Sequence, residues 1–188
     1  MLKIITGVAK GKILKTLEGE ATRPTSSRVK EALFSSIQFD IENRRVLDLF
    51  AGSGGLGLEA LSRGASGCTF IDSSREAIEI VKENARITGF FGVSKYLVSD
   101  YRNYIRKASG RDAFDLVFID PPYMNECAAD AALRLASSGM LRDGALVCIE
   151  GGEENIDTEA LLNFEVIKST HYGKKTFLLI LLYHKPSD

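Results

Sequence analysis

Short apolar runs recur along the chain, separated by stretches rich in glycine, proline and charged residues. Such runs are typical of buried strands, whereas apolar positions spaced three and four apart indicate helices. The runs predict strands at residues 45–50, 68–72, 96–100, 114–119, 144–150, 164–170 and 176–182. Helices are predicted after the glycine-rich turn at 51–57, after residue 73, at 101–107 and at 125–138. Strands that alternate with helices indicate an α/β fold with a mostly parallel sheet.

The first 40 residues follow a different pattern. Two β-prone runs, at 2–6 and 12–16, flank a segment that contains two glycines, and this arrangement predicts a hairpin. A helix at roughly 26–38 follows, and its predicted buried face consists of Val29, Ala32, Leu33, Ser36 and Ile37. We therefore expect a single domain over residues 1–188, in which residues 1–40 extend a core at 41–188.

A glycine-rich turn leads from the first buried strand into a helix. Gly52, Gly54 and Gly57 have the spacing G-x-G-x-x-G, which is weak evidence alone but is typical of nucleotide-binding turns. Asp48 lies inside the preceding strand, where its charge would repel a pyrophosphate and attract the ammonium group of a methionine. A dehydrogenase shares the pattern as far as Asp72, but Asp48 favours S-adenosylmethionine over a nicotinamide dinucleotide.

Two further strands end in aspartates that could bind such a cofactor. Asp72 lies 20 residues after the first loop glycine, a position from which a carboxylate can hold a ribose diol. Its alternative role is in the cap of the next helix, where Ser73 and Glu76 are predicted to form a capping box. Asp100 is expected to accept a hydrogen bond from an adenine amine, with Tyr101 lining the same pocket. The alternative for Asp100 is an ordinary helix N-cap.

The fourth long strand ends in Asp120-Pro121-Pro122-Tyr123. Two consecutive prolines end the strand and restrict the backbone, so the Asp120 carboxylate and nearby carbonyls are held with little freedom. These acceptors could bind both N–H groups of a planar amine and direct its nitrogen lone pair out of the ring plane. Tyr123 could stack on the base, a contact worth about 1–3 kcal/mol. A strand end followed by a proline turn is the structural alternative.

Composition narrows the class of protein. The chain has 188 residues, a formal net charge of −1 and three cysteines without C-x-x-C spacing, so we expect a cytoplasmic monomer without disulfides, a metal or a membrane segment. Basic residues nevertheless outnumber acidic ones over residues 1–31, which suits a phosphate backbone. The predicted RNA-binding residues are Lys3, Lys10, Lys12, Lys15, Arg23 and Arg28. A lysine-protected edge strand is the alternative.

These motifs together resemble the 16S ribosomal RNA guanine-N2-methyltransferase family, the RsmD-like enzymes among class I S-adenosylmethionine-dependent methyltransferases. The resemblance covers almost the whole chain, whereas D-P-P-Y alone is shared with adenine-N6 and cytosine-N4 enzymes. The segments that carry it are Ile4-Ile5-Thr6-Gly7, Arg23-Pro24-Thr25, Arg28-Val29-Lys30-Glu31-Ala32-Leu33-Phe34, Asp48-Leu49-Phe50-Ala51-Gly52-Ser53-Gly54, Leu58-Glu59-Ala60-Leu61-Ser62-Arg63-Gly64 and Asp120-Pro121-Pro122-Tyr123.

The resemblance implies a Rossmann-like, seven-stranded sheet of order 3-2-1-4-5-7-6 with strand seven antiparallel and helices on both faces. It also implies methylation of a guanine N2 amine in 16S rRNA, either free or within an assembling small subunit. The predicted catalytic residues are Asp120, Pro121, Pro122 and Tyr123. The predicted cofactor-binding residues are Asp48, Phe50, Ala51, Gly52, Ser53, Gly54, Asp72, Ser73, Asp100 and Tyr101.

Reaching the pocket requires the guanine to swing out of its stack, and Tyr123, with Phe34 or Tyr101, is expected to receive it. Other functions stay open at this point. They are a DNA or protein amino-methyltransferase that uses the same corner, a non-catalytic RNA-binding protein of the same fold, and a nicotinamide oxidoreductase.

Overall fold

The computed structural model describes residues 1–17, 24–121, 126–151, 156, 161–172 and 176–186. Its helices are α1 (Pro24–Ser36), α2 (Gly55–Ser62), α3 (Arg75–Thr88), α4 (Tyr101–Ala108) and α5 (Glu126–Ser137). Its strands are β1 (Arg45–Asp48), β2 (Gly67–Asp72), β3 (Ser94–Val98), β4 (Phe114–Ile119), β5 (Leu141–Gly151), β6 (Phe164–Tyr172) and β7 (Thr176–Tyr183). The predicted strands are all present, and the alternation of strands and helices is as expected.

The seven strands form one sheet of order β3-β2-β1-β4-β5-β7-β6, which confirms the predicted topology. Strands β1 to β5 are parallel, and β7 pairs antiparallel with both β5 and β6. The carboxyl ends of β1 to β5 therefore meet at one edge, where ligands bind in open α/β sheets. We call this edge the carboxyl edge.

Side chains alternate between the two faces of the sheet, so the helices cover two separate apolar cores. Val46 and Phe118 face the core formed with α1, α2 and α3. Leu47 and Val117 face the opposite core, formed with α4 and α5. Strand β7 is buried along most of its length, as its uninterrupted apolar sequence predicts. Because both faces of the sheet are covered, its carboxyl edge is left for ligands.

The N-terminal hairpin is shorter than predicted. Its two arms form a single antiparallel bridge, Lys3 with Ile13, and the segment packs on α2 instead of forming a regular strand pair. The backbone N–H of Val8 donates to the Ser62 carbonyl at 2.9 Å. These bonds to a helix satisfy backbone groups that a longer ladder would otherwise pair.

The predicted buried face of α1 contains one wrong position and lacks one buried residue. Ser36 is exposed, while Phe34, which the helical pattern left out, is fully buried. Phe34 packs against Phe118 with ring centroids 5.6 Å apart. The apolar stripe of α1 is thus rotated toward Phe34, because the helix faces the β4 side chain.

A buried charged cluster joins the N-terminal segment to the core. Glu59 is fully buried, and its carboxylate accepts hydrogen bonds from the backbone N–H groups of Ile5 at 2.7 Å and Thr6 at 3.0 Å. Lys30 and Arg63 pair with the same carboxylate at 3.2 and 2.9 Å. Lys30 is outside the predicted buried face of α1, yet it is only 6% exposed because its partner is inside the protein. Burial lowers the pKa of Lys30, while the Glu59 charge opposes that shift.

Candidate cofactor and amine site

The carboxyl edge brings the predicted aspartates together. Asp48 ends β1, Asp72 ends β2, Asp100 follows β3 by two residues and Asp120 directly follows β4. Because these strands are parallel neighbours, the four residues come from separate parts of the sequence to one edge. The site is therefore organised by the sheet.

The glycine turn between β1 and α2 is held in place by backbone bonds and close packing. Gly52 and Gly54 have φ angles of 49° and 81°, in the region that glycine adopts without strain. The Ala51 N–H donates to the Ile71 carbonyl of β2 at 2.9 Å. A Cβ on Gly54 would meet the methyl groups of Val81 on α3 at 3.2 and 3.3 Å. Glycine thus allows α3 to pack closely against the turn.

Asp72 links the glycine turn to the next helix. One carboxylate oxygen accepts the N–H of Gly52 at 2.9 Å, and the other accepts the N–H of Ser74 at 2.8 Å. Ser74, rather than Ser73, caps α3 by accepting the N–H of Ala77 at 3.2 Å. The predicted capping box of Ser73 and Glu76 is therefore wrong: the third residue of α3 is Ala77, which has no polar side chain to complete a box with Ser74, and Ser73 is exposed at the same turn. Asp72 is half-buried, so a ligand at the edge can still reach it.

Asp48 lies beneath the turn and is only 2% exposed. Its carboxylate accepts the N–H of Gly57 at 2.9 Å. Burial raises the pKa of Asp48 to about 7, and the charges of Asp120 and Asp72 act in the same direction. The bond from Gly57 and the charge of Lys30 oppose the shift. An added cation near Asp48 would relieve this cost, because it favours the carboxylate form.

Asp100 is the N-cap of α4, the alternative that the sequence left open. It is exposed and accepts the N–H groups of Arg102 at 2.9 Å and Asn103 at 3.4 Å. Tyr101 is 6% exposed; its ring packs on Phe50 with centroids 5.3 Å apart. Its hydroxyl donates to Asp130 at 2.7 Å, and burial followed by this bond raises the pKa of Tyr101.

Neither Phe34 nor Tyr101 presents a ring face that could receive a guanine. Phe34 is fully buried, and the Arg63 guanidinium lies 4.8 Å from its ring centroid. Tyr101 is buried against another ring, as described above. The expectation that Phe34 or Tyr101 receives the guanine is therefore wrong, because both rings already pack against other aromatic side chains.

The D-P-P-Y corner begins at the exposed residue Asp120 and continues through the half-buried Pro121. Pro122 and Tyr123 lie outside the described residues. The strand pair that leads to the corner is in register, with Ile119 opposite Ile149. The Asp120 carboxylate thus follows a firmly paired strand and is not directed into the core.

Glu150 is a residue at this corner that the sequence reasoning missed. It follows Ile149 on β5 and is half-buried. Burial raises the pKa of Glu150 to about 8, and the charge of Asp120 adds to the shift. Its position after a long apolar run, at the end of the strand that follows the D-P-P-Y helix, was the available signal.

The predicted basic residues lie along the N-terminal segment at different distances from the glycine turn. Lys3, Lys10, Lys12, Lys15 and Arg28 are exposed, and Arg23 lies outside the described residues. Lys10 is at the hairpin tip, where the neighbouring Val8 and Ala9 bond to Ser62 at the end of α2. At the other end of α2, a Cβ on Gly55 would lie 3.3 Å from Leu2. Because α2 spans about 12 Å, the hairpin tip with Lys10 is about that much farther from the glycine turn than Leu2 and its neighbour Lys3.

Lys15 is close to the turn itself. Its backbone N–H donates to Asn84 at 2.8 Å, and Asn84 donates to the Ser53 carbonyl at 2.9 Å. Ser53 is buried under this contact. Lys15 is therefore connected to the glycine turn through the side chain of Asn84.

Among the described residues, no group of three or more His, Cys, Asp or Glu side chains is arranged to hold a metal ion. None of the helices in that part of the chain is long and apolar enough to cross a membrane.

Comparisons with known proteins agree with this arrangement. The family model “Conserved hypothetical protein 95” matches residues 2–181. “Putative rRNA methyltransferase YlbH” of Bacillus subtilis is 34% identical over 173 residues, which cover 92% of this chain and 94% of that protein. “Ribosomal RNA small subunit methyltransferase D” of Escherichia coli is 34% identical over 155 residues, which cover 82% and 76%. The solved “Putative methyltransferase yhhF from Escherichia coli” superimposes with a TM-score of 0.85 and 29% identity over 98% of each chain.

Proposed function

Since this chain belongs to the Conserved hypothetical protein 95 family and is an RsmD-like methyltransferase, we propose that it methylates the exocyclic N2 amine of a guanine in small-subunit ribosomal RNA. The observation that carries this proposal is the exposed Asp120 at the carboxyl edge, beside the glycine turn and at the start of D-P-P-Y. An rRNA substrate would place the enzyme in the cytoplasm with the assembling small subunit.

The residues around the glycine turn suit S-adenosylmethionine as the methyl donor. Asp48 offers a buried negative charge for the ammonium group, and Asp72 offers a half-buried carboxylate for the ribose hydroxyls. A pyrophosphate would meet the charges of Asp48, Asp72 and Asp120 at one edge, which argues against a dinucleotide. Phe50 and Asp100 border the same edge and are proposed to contact the adenosine part.

S-adenosylmethionine, when bound, supplies a methyl group activated by the positive sulfonium. The chain then has to align the amine. The Asp120 carboxylate and the Pro121 carbonyl accept the two N–H groups of guanine N2, which turns the nitrogen lone pair toward the methyl donor. Alignment of this kind can lower the barrier by several kcal/mol. Asp120 later accepts the proton that the nitrogen loses, and Tyr123 is proposed to stack on the base.

The N-terminal extension at 1–40 is proposed to hold the RNA backbone. Lys3 and Lys15 are exposed on the α2–α3 face near the carboxyl edge, so they can contact phosphates on either side of the target nucleotide. Lys10, at the far end of α2, is expected to contribute less.

Replacing Asp120 with Asn tests the catalytic assignment. Asn keeps the shape but cannot accept a proton, so we expect methyl transfer to fall about 100-fold or more while calorimetric binding of S-adenosylmethionine persists. Asp40→Asn is the matched control, because Asp40 is an exposed aspartate ahead of β1 at the opposite edge. Unchanged turnover in the Asp120 variant would refute the proposed role.

The substrate is tested by incubating the protein and radiolabelled S-adenosylmethionine with unmodified small subunits, free small-subunit rRNA, DNA or cellular protein. Label on guanine N2 of the rRNA, located by nuclease mapping, is the expected result. Label that appears only in DNA or protein would support the alternative amino-methyltransferases, and the absence of label would support an RNA-binding protein without activity.

A further inference from the structure

A groove lined by arginines runs between α4 and α5, on the face of the sheet opposite the N-terminal segment. It has a volume of about 360 Å³, and Asp100 lies on its lining. Asp100 also follows β3 at the carboxyl edge, so the groove reaches the border of the candidate site. Its lining also includes Arg102, Asn103, Arg106 and Arg134.

One carboxylate orients two of the three arginines. Asp130 accepts the Nε–H groups of Arg102 at 3.0 Å and Arg134 at 2.8 Å, together with the Tyr101 hydroxyl. The hydrogen bond from Arg134 is the largest cause that lowers the pKa of Asp130 to about 2. Because these bonds use Nε–H, they do not consume the terminal NH2 groups of the guanidiniums.

The third arginine, Arg106, is oriented by a different side chain, on α4. Arg106 is exposed and donates to the Asn103 side chain at 3.0 Å, within α4. Lys107 and Arg111 continue the positive charge beyond the groove. The positive charge of the groove therefore exceeds the negative charge of Asp100 and Asp130, and it is concentrated in a concave surface.

Guanidinium groups held in a concave, polar surface suit phosphate, because their planar donors match its oxygens in pairs. S-adenosylmethionine carries no phosphate, so the groove has no evident use in cofactor binding. The RNA substrate carries one phosphate per nucleotide. From this chemistry and from the location next to the carboxyl edge, we propose that the α4–α5 groove binds backbone phosphates of the RNA substrate.

This inference rests on the proposed function and adds to it a second RNA-binding surface on the other face of the sheet. The target strand would then be held on both sides of the D-P-P-Y corner. Lysines of the N-terminal segment contact it from the α2–α3 face, and the arginine groove contacts it from the α4–α5 face.

The test uses the full chain with Arg106 and Arg134 both changed to Gln. Filter binding to unmodified small-subunit rRNA is measured between roughly 50 and 200 mM salt. We expect about tenfold weaker binding and a salt slope, log Kd against log salt, reduced by about 1 to 2. Calorimetric affinity for S-adenosylmethionine is expected to stay within about twofold of the wild type, because neither Arg106 nor Arg134 is among the residues proposed to contact the cofactor.

Two further variants keep the result interpretable. Arg142→Gln is the matched control, since Arg142 and Arg134 each have side chains 49% exposed and paired with an aspartate, but Arg142 lies at the amino end of β5. Arg106→Gln alone removes one guanidinium without touching Asp130, so it reports on the groove even if the double variant unfolds. Its salt slope is expected to fall by about 1.

The outcomes separate this inference from the proposed function. Wild-type RNA affinity and salt slope in the Arg106 and Arg134 variants would overturn the groove assignment, even where Asp120→Asn is inactive. The groove assignment would also be overturned if Arg142→Gln lost as much RNA affinity and salt slope as Arg106→Gln, because the effect would then come from overall charge. If the wild-type chain neither binds nor methylates rRNA, both the proposed function and this inference fail.

Discussion

Asp48 has a pKa raised to about 7, and burial of its carboxylate is the main cause. In the unfolded chain the pKa of an aspartate is near its ordinary value of 3.8. Between these two values the folded state therefore holds more protons than the unfolded state, and stability must fall as pH rises through this window. Ionised Asp48 therefore costs stability in the free protein, and a cation bound beside it would reduce that cost.

Changing Asp48 to Asn should remove this cost while keeping an acceptor for the Gly57 N–H. We expect Asp48→Asn to be more stable than the wild type at pH 8 by up to roughly 4 kcal/mol, and about equally stable at pH 4. Urea unfolding at the two pH values measures the difference. The same variant should bind S-adenosylmethionine more weakly, and a stability gain that is independent of pH would contradict the explanation.

Glu150 lies next to the catalytic corner, and burial followed by the charge of Asp120 raises the Glu150 pKa to about 8. Glu150 is therefore mostly neutral below that pH and adds a negative charge beside Asp120 only above it. We expect kcat/KM to change as Glu150 ionises near pH 8, and we expect Glu150→Gln to lack this change because Gln carries no charge at any pH. A pH profile of Glu150→Gln that matches the wild type near pH 8 would show that Glu150 has no influence on the catalytic corner.

At the scale of elements, Glu59 determines how the N-terminal segment is attached to α2. Its carboxylate holds two backbone N–H groups of the segment and two cations. Glu59→Gln leaves Lys30 buried without a negative partner, and removing one partner of a buried pair typically costs about 3–5 kcal/mol. Urea unfolding should show this loss, and amides of residues 4–14 should exchange faster with solvent.

An exposed ion pair between the same segment and α3 supplies the control. Glu83 pairs with Lys15 at 2.6 Å, with side chains 48% and 60% exposed. Such surface pairs contribute between 0 and about 1 kcal/mol, so Glu83→Gln should change stability little. A comparable loss in both variants would mean that burial of the Glu59 cluster is not what anchors the segment.

The local sequence predicted most helices and strands, because the spacing of apolar residues within each element indicates its type. The burial of a charged residue could not be predicted in this way, since it depends on which elements pack together. Lys30 has the sequence context of an exposed helical lysine, and only the packing of α1 against α2 brings it to Glu59. The burial of Phe34, which was expected to receive the base, also depends on a distant residue. Phe34 packs against Phe118, which is 84 positions later in the sequence, so nothing in its local sequence indicates this contact.

At the scale of the whole molecule, the sheet separates two basic surfaces. The alternation of strands with helices predicted a parallel sheet whose carboxyl ends meet at one edge, so the aspartates of the site could be predicted from their positions at strand ends. The arginine groove could not be predicted in this way, because Arg102 and Arg134 belong to different helices and meet at Asp130. Sequence reasoning therefore found only the basic surface that is continuous along the chain.

The separation of the two surfaces leads to a prediction about their combined effect. Lys3 and Lys15 lie on the α2–α3 side, and Arg106 and Arg134 lie on the α4–α5 side, so their substitutions share no partner and should be energetically independent. The Lys3→Gln and Lys15→Gln pair, the Arg106→Gln and Arg134→Gln pair, and all four changes together are compared by rRNA filter binding. The reductions in log affinity and in salt slope are expected to add. If the variant with all four changes binds rRNA as well as either double variant, one RNA does not contact both faces.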